Sequence, residues 1–118
     1  MTVIRIVANI ATDQIDKAES FYGGILGLRI AMDHGWIRTY AGEGSALAQV
    51  GIASQGGSGT PVPDLSVEVS DLDEILSRVR DAGLPIEYGP AREPWGVTRF
   101  YVRDPFGRLV NILSHDPA

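Results

Sequence analysis

Two stretches of the chain, residues 8–28 and 66–84, repeat the same pattern. Each starts with strand-forming residues, continues through an Asp into an amphipathic stretch, and ends on a Gly followed by Leu, at Gly27 and at Gly83. In order, these signals indicate a strand, a helix N-cap, a helix and a helix stop. Internal repetition constrains a fold strongly, because it requires two similar modules that share one core.

Length and charge narrow the protein class. The chain has 118 residues and a formal net charge of −5. This is the size of one domain, and the acidic balance gives no electrostatic footprint for nucleic acid or an anionic membrane. The absence of Cys excludes disulfides, thiolate metal ligands and a Cys nucleophile. With neither a signal-peptide pattern nor an apolar run near the roughly 18 residues of a membrane span, we expect a cytoplasmic protein.

The first module reads as a strand, a helix and three further strands. Val3–Ala11 is mostly apolar and β-branched, as in a buried strand. Asp13 is the predicted N-cap of the helix that follows. The inner face of this helix, by its helical spacing, consists of Ile15, Ala18, Tyr22 and Ile25. The three shorter strands are predicted at residues 28–32, 36–41 and 46–52.

The second module repeats this order, beginning with a strand at residues 64–69. Asp71 and Glu74 have the spacing of a capping box at the start of a helix. The apolar stripe of that helix consists of Leu72, Ile75, Leu76 and Val79. Further strands are predicted at residues 84–88, 97–102 and 108–113, with a type I turn at residues 104–107 before the last one.

The order βαβββ therefore occurs twice, in modules of about residues 1–54 and 63–118. A connection rich in Gly, Ser and Pro joins them at residues 55–62, with a flap at a cavity mouth as its functional alternative. One such module is too small to cover the apolar face of its own sheet. We predict an α+β fold in which the two modules form a curved mixed sheet with a cleft.

Residues of both modules match a known family. The matching residues are Asp13, Phe21-Tyr22, Ile25-Leu26-Gly27-Leu28, Val69-Ser70-Asp71-Leu72-Asp73, Ala82-Gly83, and the stretch from Pro94-Trp95-Gly96 through Asp104-Pro105-Phe106-Gly107 to Asn111. On the basis of these residues, essentially the whole chain resembles the glyoxalase/bleomycin-resistance/extradiol-dioxygenase group, also called the vicinal oxygen chelate superfamily. The resemblance implies paired βαβββ modules, a cavity in the curved sheet, and a homodimer whose subunits complete each other's sites.

The resemblance also implies a metal site in catalytic members, with ligands from the first and last strands of each module. In this sequence those positions fall on Asp64, on Asn111, on Ile6 or Val7, and near Gln49. One carboxylate and two amides form a poor donor group for a divalent cation. We expect no cofactor, and a divalent metal held by Asp64, Gln49 and Asn111 is the alternative. His34, in a turn, and His115, near the C-terminus, are both expected to be solvent-exposed.

Strand parity gives further candidates for a ligand cavity. Asp64, Ser66 and Glu68 share one face of their strand, and the resemblance points Asp64 and Asn111 into the cavity. Asn9 and Arg5 point there in one of two possible registers. Asn111 lies among apolar neighbours, so we expect it to be buried with hydrogen-bond partners from a structural network or from a ligand. The alternative for Asp64 is a solvated residue at the start of a strand.

Aromatic side chains complete the candidate cavity. Trp36 and Trp95 are candidate walls for a flat ligand, with packing at a module or dimer interface as the alternative. Arg99 and Arg103 alternate with nearby aromatics and either bind a carboxylate or lie exposed. The predicted ligand-binding residues are Trp36, Asp64, Trp95, Asn111, Asn9, Tyr40, Phe100 and Tyr101.

Three functional hypotheses follow. The first is a metal-independent protein of the bleomycin-resistance type that binds a small molecule in a cleft at a homodimer interface, with a role in antibiotic or drug resistance. The second is a glyoxalase-, isomerase- or dioxygenase-type enzyme, with an atypical metal site or with acid–base chemistry by Asp64 or Glu68. The third is a non-catalytic dimeric module without a dedicated ligand. None of them involves nucleic acid or a membrane.

Overall fold

The computed structural model of the protein describes residues 2–43 and 49–117. Its strands are β1 (Val3–Ala11), β2 (Arg29–Asp33), β3 (Ile37–Ala41), β4 (Gln49–Ala53), β5 (Leu65–Val69), β6 (Ile86–Arg92), β7 (Val97–Arg103) and β8 (Leu109–His115), and α1 spans Leu72–Asp81. The predicted α+β class is confirmed. Within the described ranges, no helix combines the length and the apolar composition that a bilayer crossing demands.

The chain divides into two compact units. We call Val7–Val62 the N-terminal unit, and Met1–Ile6 together with Pro63–Ala118 the C-terminal unit. Both have the same strand pairing. In the N-terminal unit, β1 pairs with β4 in parallel, and β4–β3 and β3–β2 are antiparallel. In the C-terminal unit, β5 pairs with β8 in parallel, and β8–β7 and β7–β6 are antiparallel.

The core of the C-terminal unit lies between α1 and one face of its sheet. Register places Val67 opposite Ile112 and Ile112 opposite Phe100, so these side chains share the face that α1 covers. The buried members of this core are Val69, Leu72, Leu76, Phe100, Val102, Val110 and Ile112. The predicted apolar stripe of α1 is confirmed, because Ile75 and Val79 pack against the same cluster.

Helix α1 begins and ends as its sequence predicts. The Asp71 carboxylate accepts a hydrogen bond from the Glu74 backbone N–H at 3.1 Å, which satisfies one of the unpaired donors of the first turn. The helix stops before Gly83, whose φ of +73° lies in the left-handed region that favours glycine.

Loss of this cap has a measurable expected cost. Asp71→Ala removes the acceptor for Glu74 N–H, and we expect it to lower the free energy of unfolding by about 1 kcal/mol in urea denaturation. Asp71→Asn is the matched control, since its side-chain oxygen still accepts the bond and its stability should stay near that of the wild type. Equal losses in the two variants would show that the helix does not depend on the cap.

The first predicted helix is not a regular α-helix. A 3-10 turn spans Ile15–Lys17 and a π-helical segment spans Glu19–Gly23. The prediction that Asp13 caps it is wrong: the first turn has no side-chain cap, and the Gln14 N–H instead bonds to Thr12 Oγ1 at 3.0 Å. The Gly23–Gly24 pair explains the irregular winding, because adjacent glycines weaken an α-helix.

The winding also changes which side chains are buried in the N-terminal unit. Its core consists of Ala18, Tyr40 and Ile52, with Ile15, Tyr22, Leu28 and Val50 packed against them. The predicted inner residue Ile25 is instead 72% exposed. It follows the π-helical segment, so the α-helical spacing that assigned it to the core does not apply.

The predicted strands are present with shifted ends. The strand predicted at residues 84–88 is β6, which begins and ends later, at Ile86–Arg92. The last strand likewise extends to His115. In the strand predicted at residues 46–52, positions 46–48 lie outside the described residues, and the described part starts at Gln49.

Candidate functional site

Polar and charged side chains gather on the face of the C-terminal sheet opposite α1, which we call the polar face. Ser66 lies opposite Asn111, and Asn111 lies opposite Tyr101, so all three point to this face. Glu68 and Arg99 lie opposite Leu113 and share the same orientation. Along each strand, residues of the polar face therefore alternate with residues of the apolar face that packs on α1.

A buried ion pair lies at one side of the polar face. Arg99 Nη2 is 2.7 Å from Glu93 Oε2, and the two side chains are only 3% and 5% exposed. Arg99 Nη1 also donates to the Tyr101 hydroxyl at 2.9 Å, and the Tyr88 hydroxyl donates to Glu93 Oε2 at 3.0 Å. The guanidinium carbon lies 5.0 to 5.3 Å from the ring centroids of Trp95, Tyr101 and Tyr88. Aromatic rings and one carboxylate thus surround the cation.

A second charged group lies at the other side, where β1 meets β5. Arg5 Nε is 3.1 Å from Glu68 Oε1, and His115 Nδ1 is 2.8 Å from Glu68 Oε2. His115 is about half exposed, as expected of a residue near the C-terminus, but the sequence did not indicate its contact with Glu68. Glu68 is therefore held by groups on both of its oxygens.

Asn111 lies at the centre of this face and is 7% exposed. Its Nδ2 donates to Ser66 Oγ at 3.2 Å, across the parallel β5–β8 pair. Its Oδ1 is buried, and no hydrogen-bond donor among the described residues reaches it. The prediction that Asn111 is buried is confirmed, but only half of its amide has a partner within the described protein.

Asp64 has a structural contact at the edge of the same unit. The Leu109 backbone N–H donates to Asp64 Oδ2 at 2.9 Å, and the Asp64 N–H donates to the Leu109 carbonyl at 2.8 Å. The exposed Asp64 side chain thus fastens the start of β5 to the start of β8. The Asp64 carboxylate accepts a backbone hydrogen bond. This structural role differs from the cavity-facing role that the resemblance implies.

The donors of the C-terminal unit do not fit a divalent metal ion. The carboxylate of Asp64 binds a backbone N–H, and that of Glu68 lies against a guanidinium and an imidazole. Asn111 offers one neutral oxygen. Across residues 2–43 and 49–117, no three His, Cys, Asp or Glu side chains group closely enough to hold a metal. Hard divalent cations require several converging oxygen ligands, which these side chains do not provide.

Two of the predicted ligand-binding aromatics belong to hydrophobic cores. Phe100 and Tyr40 each have 0% of their surface exposed. Phe100 packs under α1, and Tyr40 packs in the core of the N-terminal unit, where its hydroxyl donates to Glu19 Oε2 at 2.8 Å. Burial raises the pKa of the Tyr40 hydroxyl above its ordinary value. Neither side chain lines an open surface, so neither belongs to the site proposed below. Trp95 and Tyr101 lie at the polar face, where Trp95 is half-buried but Tyr101 is 1% exposed.

The other candidates lie in the N-terminal unit. Asn9 and Gln49 share the sheet face opposite the helical segment, and Asn9 Oδ1 occupies the space that a side chain at Gly51 would take. Trp36 is half-buried and stacks on the exposed His34, with ring centroids 6.1 Å apart. These residues make no ion-pair cluster like that of the polar face among the described contacts.

The N-terminal unit also contains an open cleft of about 590 Å³ near its 3-10 turn. Arg38 lies in it, 3.0 Å from Asp16 Oδ1 and 3.2 Å from Asp33 Oδ2. The Gly35 backbone N–H donates to Asp33 and, as the largest cause, holds the pKa of that carboxyl below its usual value. The cation in this cleft is therefore already matched by two carboxylates.

Sequence reasoning missed Glu93 and Tyr88. Glu93 precedes the Pro94-Trp95-Gly96 motif, in a turn closed by the Glu93 N–H to Val97 carbonyl bond at 2.8 Å. Charged turn residues are usually solvated, so nothing in its immediate neighbours indicated a buried ion pair. Tyr88 lies opposite Tyr101, but β6 shifts register on both sides of it, so strand parity alone does not assign its face.

Several solved structures of other proteins share this fold. A crystal structure of NAD-dependent benzaldehyde dehydrogenase from Legionella pneumophila matches with a TM-score of 0.74 at 18% identity, covering 95% of this chain and 100% of that one. Methylmalonyl-CoA epimerase from Mycobacterium tuberculosis gives 0.61 at 21% identity, covering 95% and 86%. A glyoxalase/bleomycin resistance protein/dioxygenase superfamily member from Vibrio splendidus gives 0.66 at 18%, covering 96% and 99%. At these identities the likeness is one of fold.

The sequence itself assigns the family. No curated protein sequence matches the chain. The family model of the Glyoxalase/Bleomycin resistance protein/Dioxygenase superfamily matches residues 4–112, which is most of the chain and reaches from β1 into β8. The protein therefore belongs to the glyoxalase/bleomycin resistance protein/dioxygenase superfamily.

Proposed function

We propose that this protein binds a small organic molecule at the polar face and does so without a metal ion. The observation that carries the proposal is the buried Asn111 Oδ1, which has no donor among the described residues. Buried polar atoms in folded proteins nearly always have a partner. We infer that a ligand group is this partner, because the same face presents the half-buried Trp95 ring.

The charges of the polar face support a ligand without a strong net charge. Arg99 is matched by Glu93, and Arg5 is matched by Glu68. Arg103, the other candidate for binding a carboxylate, is 2.8 Å from Glu87. A charged ligand would therefore compete with an existing ion pair, and each such pair is costly to break where it is buried.

The physiological role that fits this proposal is sequestration of a toxic small molecule, as in bleomycin-type drug resistance. We further propose that the protein acts as a homodimer, in line with the family resemblance. This role requires affinity for the small molecule and a binding surface that matches its shape, but no catalytic group. We also propose a cytoplasmic location.

A second candidate function is metal-free acid–base catalysis. The 2.8 Å contact between His115 Nδ1 and Glu68 Oε2 favours it, because a carboxylate that orients one imidazole nitrogen leaves the other available for proton transfer. The fold resembles that of methylmalonyl-CoA epimerase, whose name identifies it as an enzyme. We rank this candidate second, since Arg5 shares the same carboxylate.

Tryptophan fluorescence tests the proposal. The chain has two Trp residues, so Trp36→Phe leaves Trp95 as the reporter and Trp95→Phe leaves Trp36. We expect compounds from a library of uncharged aromatic drugs to change Trp95 emission in a saturable way in the first variant. The second variant should respond weakly or not at all. A library that changes neither signal, at concentrations up to the millimolar range, would contradict the proposed function.

A further inference from the structure

We infer that the ligand of the polar face is an uncharged planar molecule that donates a hydrogen bond from an N–H or O–H group to Asn111. This inference rests on the proposed function and adds the chemical class of the ligand. The two ends of the Asn111 amide differ: Nδ2 donates to Ser66 Oγ, whereas Oδ1 is buried and has no donor among residues 2–43 and 49–117.

The neighbours of Asn111 explain why the described part of the chain does not supply this donor. Ser66, directly opposite on β5, is at the Nδ2 side of the amide. Tyr101, directly opposite on β7, has its hydroxyl at 2.9 Å from Arg99 Nη1. The residues two positions away on β8 are Leu109 and Leu113, which have no polar side-chain atoms. The missing donor must therefore come from outside the described residues.

The surrounding charges select against ions. The two guanidinium groups of the polar face each lie within 3.1 Å of a carboxylate oxygen. An anionic ligand would have to displace Glu68 or Glu93, and a cationic ligand would have to displace Arg5 or Arg99. A neutral group that hydrogen-bonds to Asn111 disturbs neither pair.

The rings at this face favour a planar ligand. Trp95 is half-buried, with its ring centroid 5.0 Å from the Arg99 guanidinium carbon, and Tyr88 and Tyr101 lie beyond it with centroids 5.2 Å apart. Arg99 and Tyr101 are buried behind these rings, so the half-buried Trp95 and Tyr88 rings are the aromatic surfaces left for a ligand. Aromatic faces bind flat molecules at little conformational cost.

The test uses indole, benzofuran and N-methylindole, which share one ring shape. Indole carries an N–H donor, benzofuran replaces it with an acceptor oxygen, and N-methylindole blocks it. In calorimetric titrations of the wild type we expect indole to bind about tenfold more tightly than either analogue, the size of effect that one buried hydrogen bond gives. Asn111→Leu, similar in shape but without the acceptor, should remove the preference. Asn111→Asp keeps an acceptor and should retain it.

Each outcome separates this inference from the proposed function. Two outcomes would overturn the inference but leave the proposed binding intact. One is equal binding of indole and benzofuran by the wild type, and the other is an indole preference that persists in Asn111→Leu. A bound water would then be the partner of Oδ1. A benzofuran preference would also overturn it, since the amide would then donate. Should Asn111→Leu fail to fold, NMR of the wild type decides: indole must shift the Asn111 side-chain amide signals more than benzofuran does. If none of the three probes binds, the inference fails, and the drug-library result decides the proposed function.

Discussion

Glu93→Ala is expected to lower the free energy of unfolding by about 3–5 kcal/mol, the range measured when one partner of a buried ion pair is removed. The Arg99 side chain is 3% exposed, so the variant leaves a guanidinium without its carboxylate in a site that water does not reach. The Tyr88 hydroxyl loses its acceptor as well. Urea denaturation followed by far-ultraviolet circular dichroism measures the change.

The matched control is Glu87→Ala, which removes the carboxylate from an Arg–Glu pair of similar length. Arg103 Nε is 2.8 Å from Glu87 Oε2, but its side chain is 48% exposed. We expect only a small fraction of the loss seen with Glu93→Ala, because exposed pairs contribute little. A double variant, Glu93→Ala with Arg99→Leu, should recover part of the stability. Similar losses at positions 87 and 93 would contradict the assignment of a buried pair.

Phe100→Ala is expected to lower the free energy of unfolding by about 3–5 kcal/mol, as large-to-small substitutions in cores do. Phe100 has no exposed surface and lies at the centre of the cluster under α1, with Val69, Leu72 and Leu76. The substitution leaves a cavity that the helix and sheet cannot close without moving. The same denaturation experiment measures the loss.

Phe106→Ala is the control for Phe100→Ala, since it makes the same chemical change at a side chain that is 85% exposed. We expect its free energy of unfolding to stay within about 0.5 kcal/mol of the wild type. A small effect at position 100 would show that Phe100 is not a core residue, and the earlier interpretation of it as a ligand contact would return.

The C-terminal unit follows its sequence closely because each local signal agrees with the packing. Asp71 and Glu74 form the predicted cap contact, and Leu72 and Leu76 are buried as the helical spacing predicts. The Asp104 side chain accepts from Phe106 N–H and Arg108 N–H, which fixes the predicted turn before β8. Local propensity and tertiary contacts point the same way here.

The N-terminal helix could not be predicted in the same way. Its apolar spacing suits an α-helix, but Gly24 N–H bonds to the Glu19 carbonyl at 2.8 Å, a π-helical contact. Thr12 Oγ1 also accepts a hydrogen bond from the Gln14 N–H, which weakens the argument for Asp13 as a cap. Such competition between side chains and backbone depends on geometry that a residue pattern does not contain.

The candidate site was predictable only in part. The apolar neighbours of Asn111 indicated its burial. Phe100 and Tyr101 are adjacent on β7, so they must point to opposite faces, and the sequence alone could not say which of them faces α1. The register against β8 places Phe100 opposite Ile112 in the core and Tyr101 opposite Asn111 at the polar face. Glu93 enters the site through a turn, to which strand parity does not apply.

The central claim is that the polar face binds a small molecule without a metal ion. The most direct measurement is the affinity of protein dialysed against a chelator for the library compound that most strongly changes Trp95 emission, titrated with and without added Zn²⁺, Ni²⁺, Mn²⁺ or Fe²⁺. We predict the same affinity in every case, with the largest NMR shifts at the Trp95 indole N–H and the Asn111 side-chain amide. Binding that appears only with a divalent cation, and that is lost in Asp64→Ala, would contradict the claim and indicate a metal-dependent site.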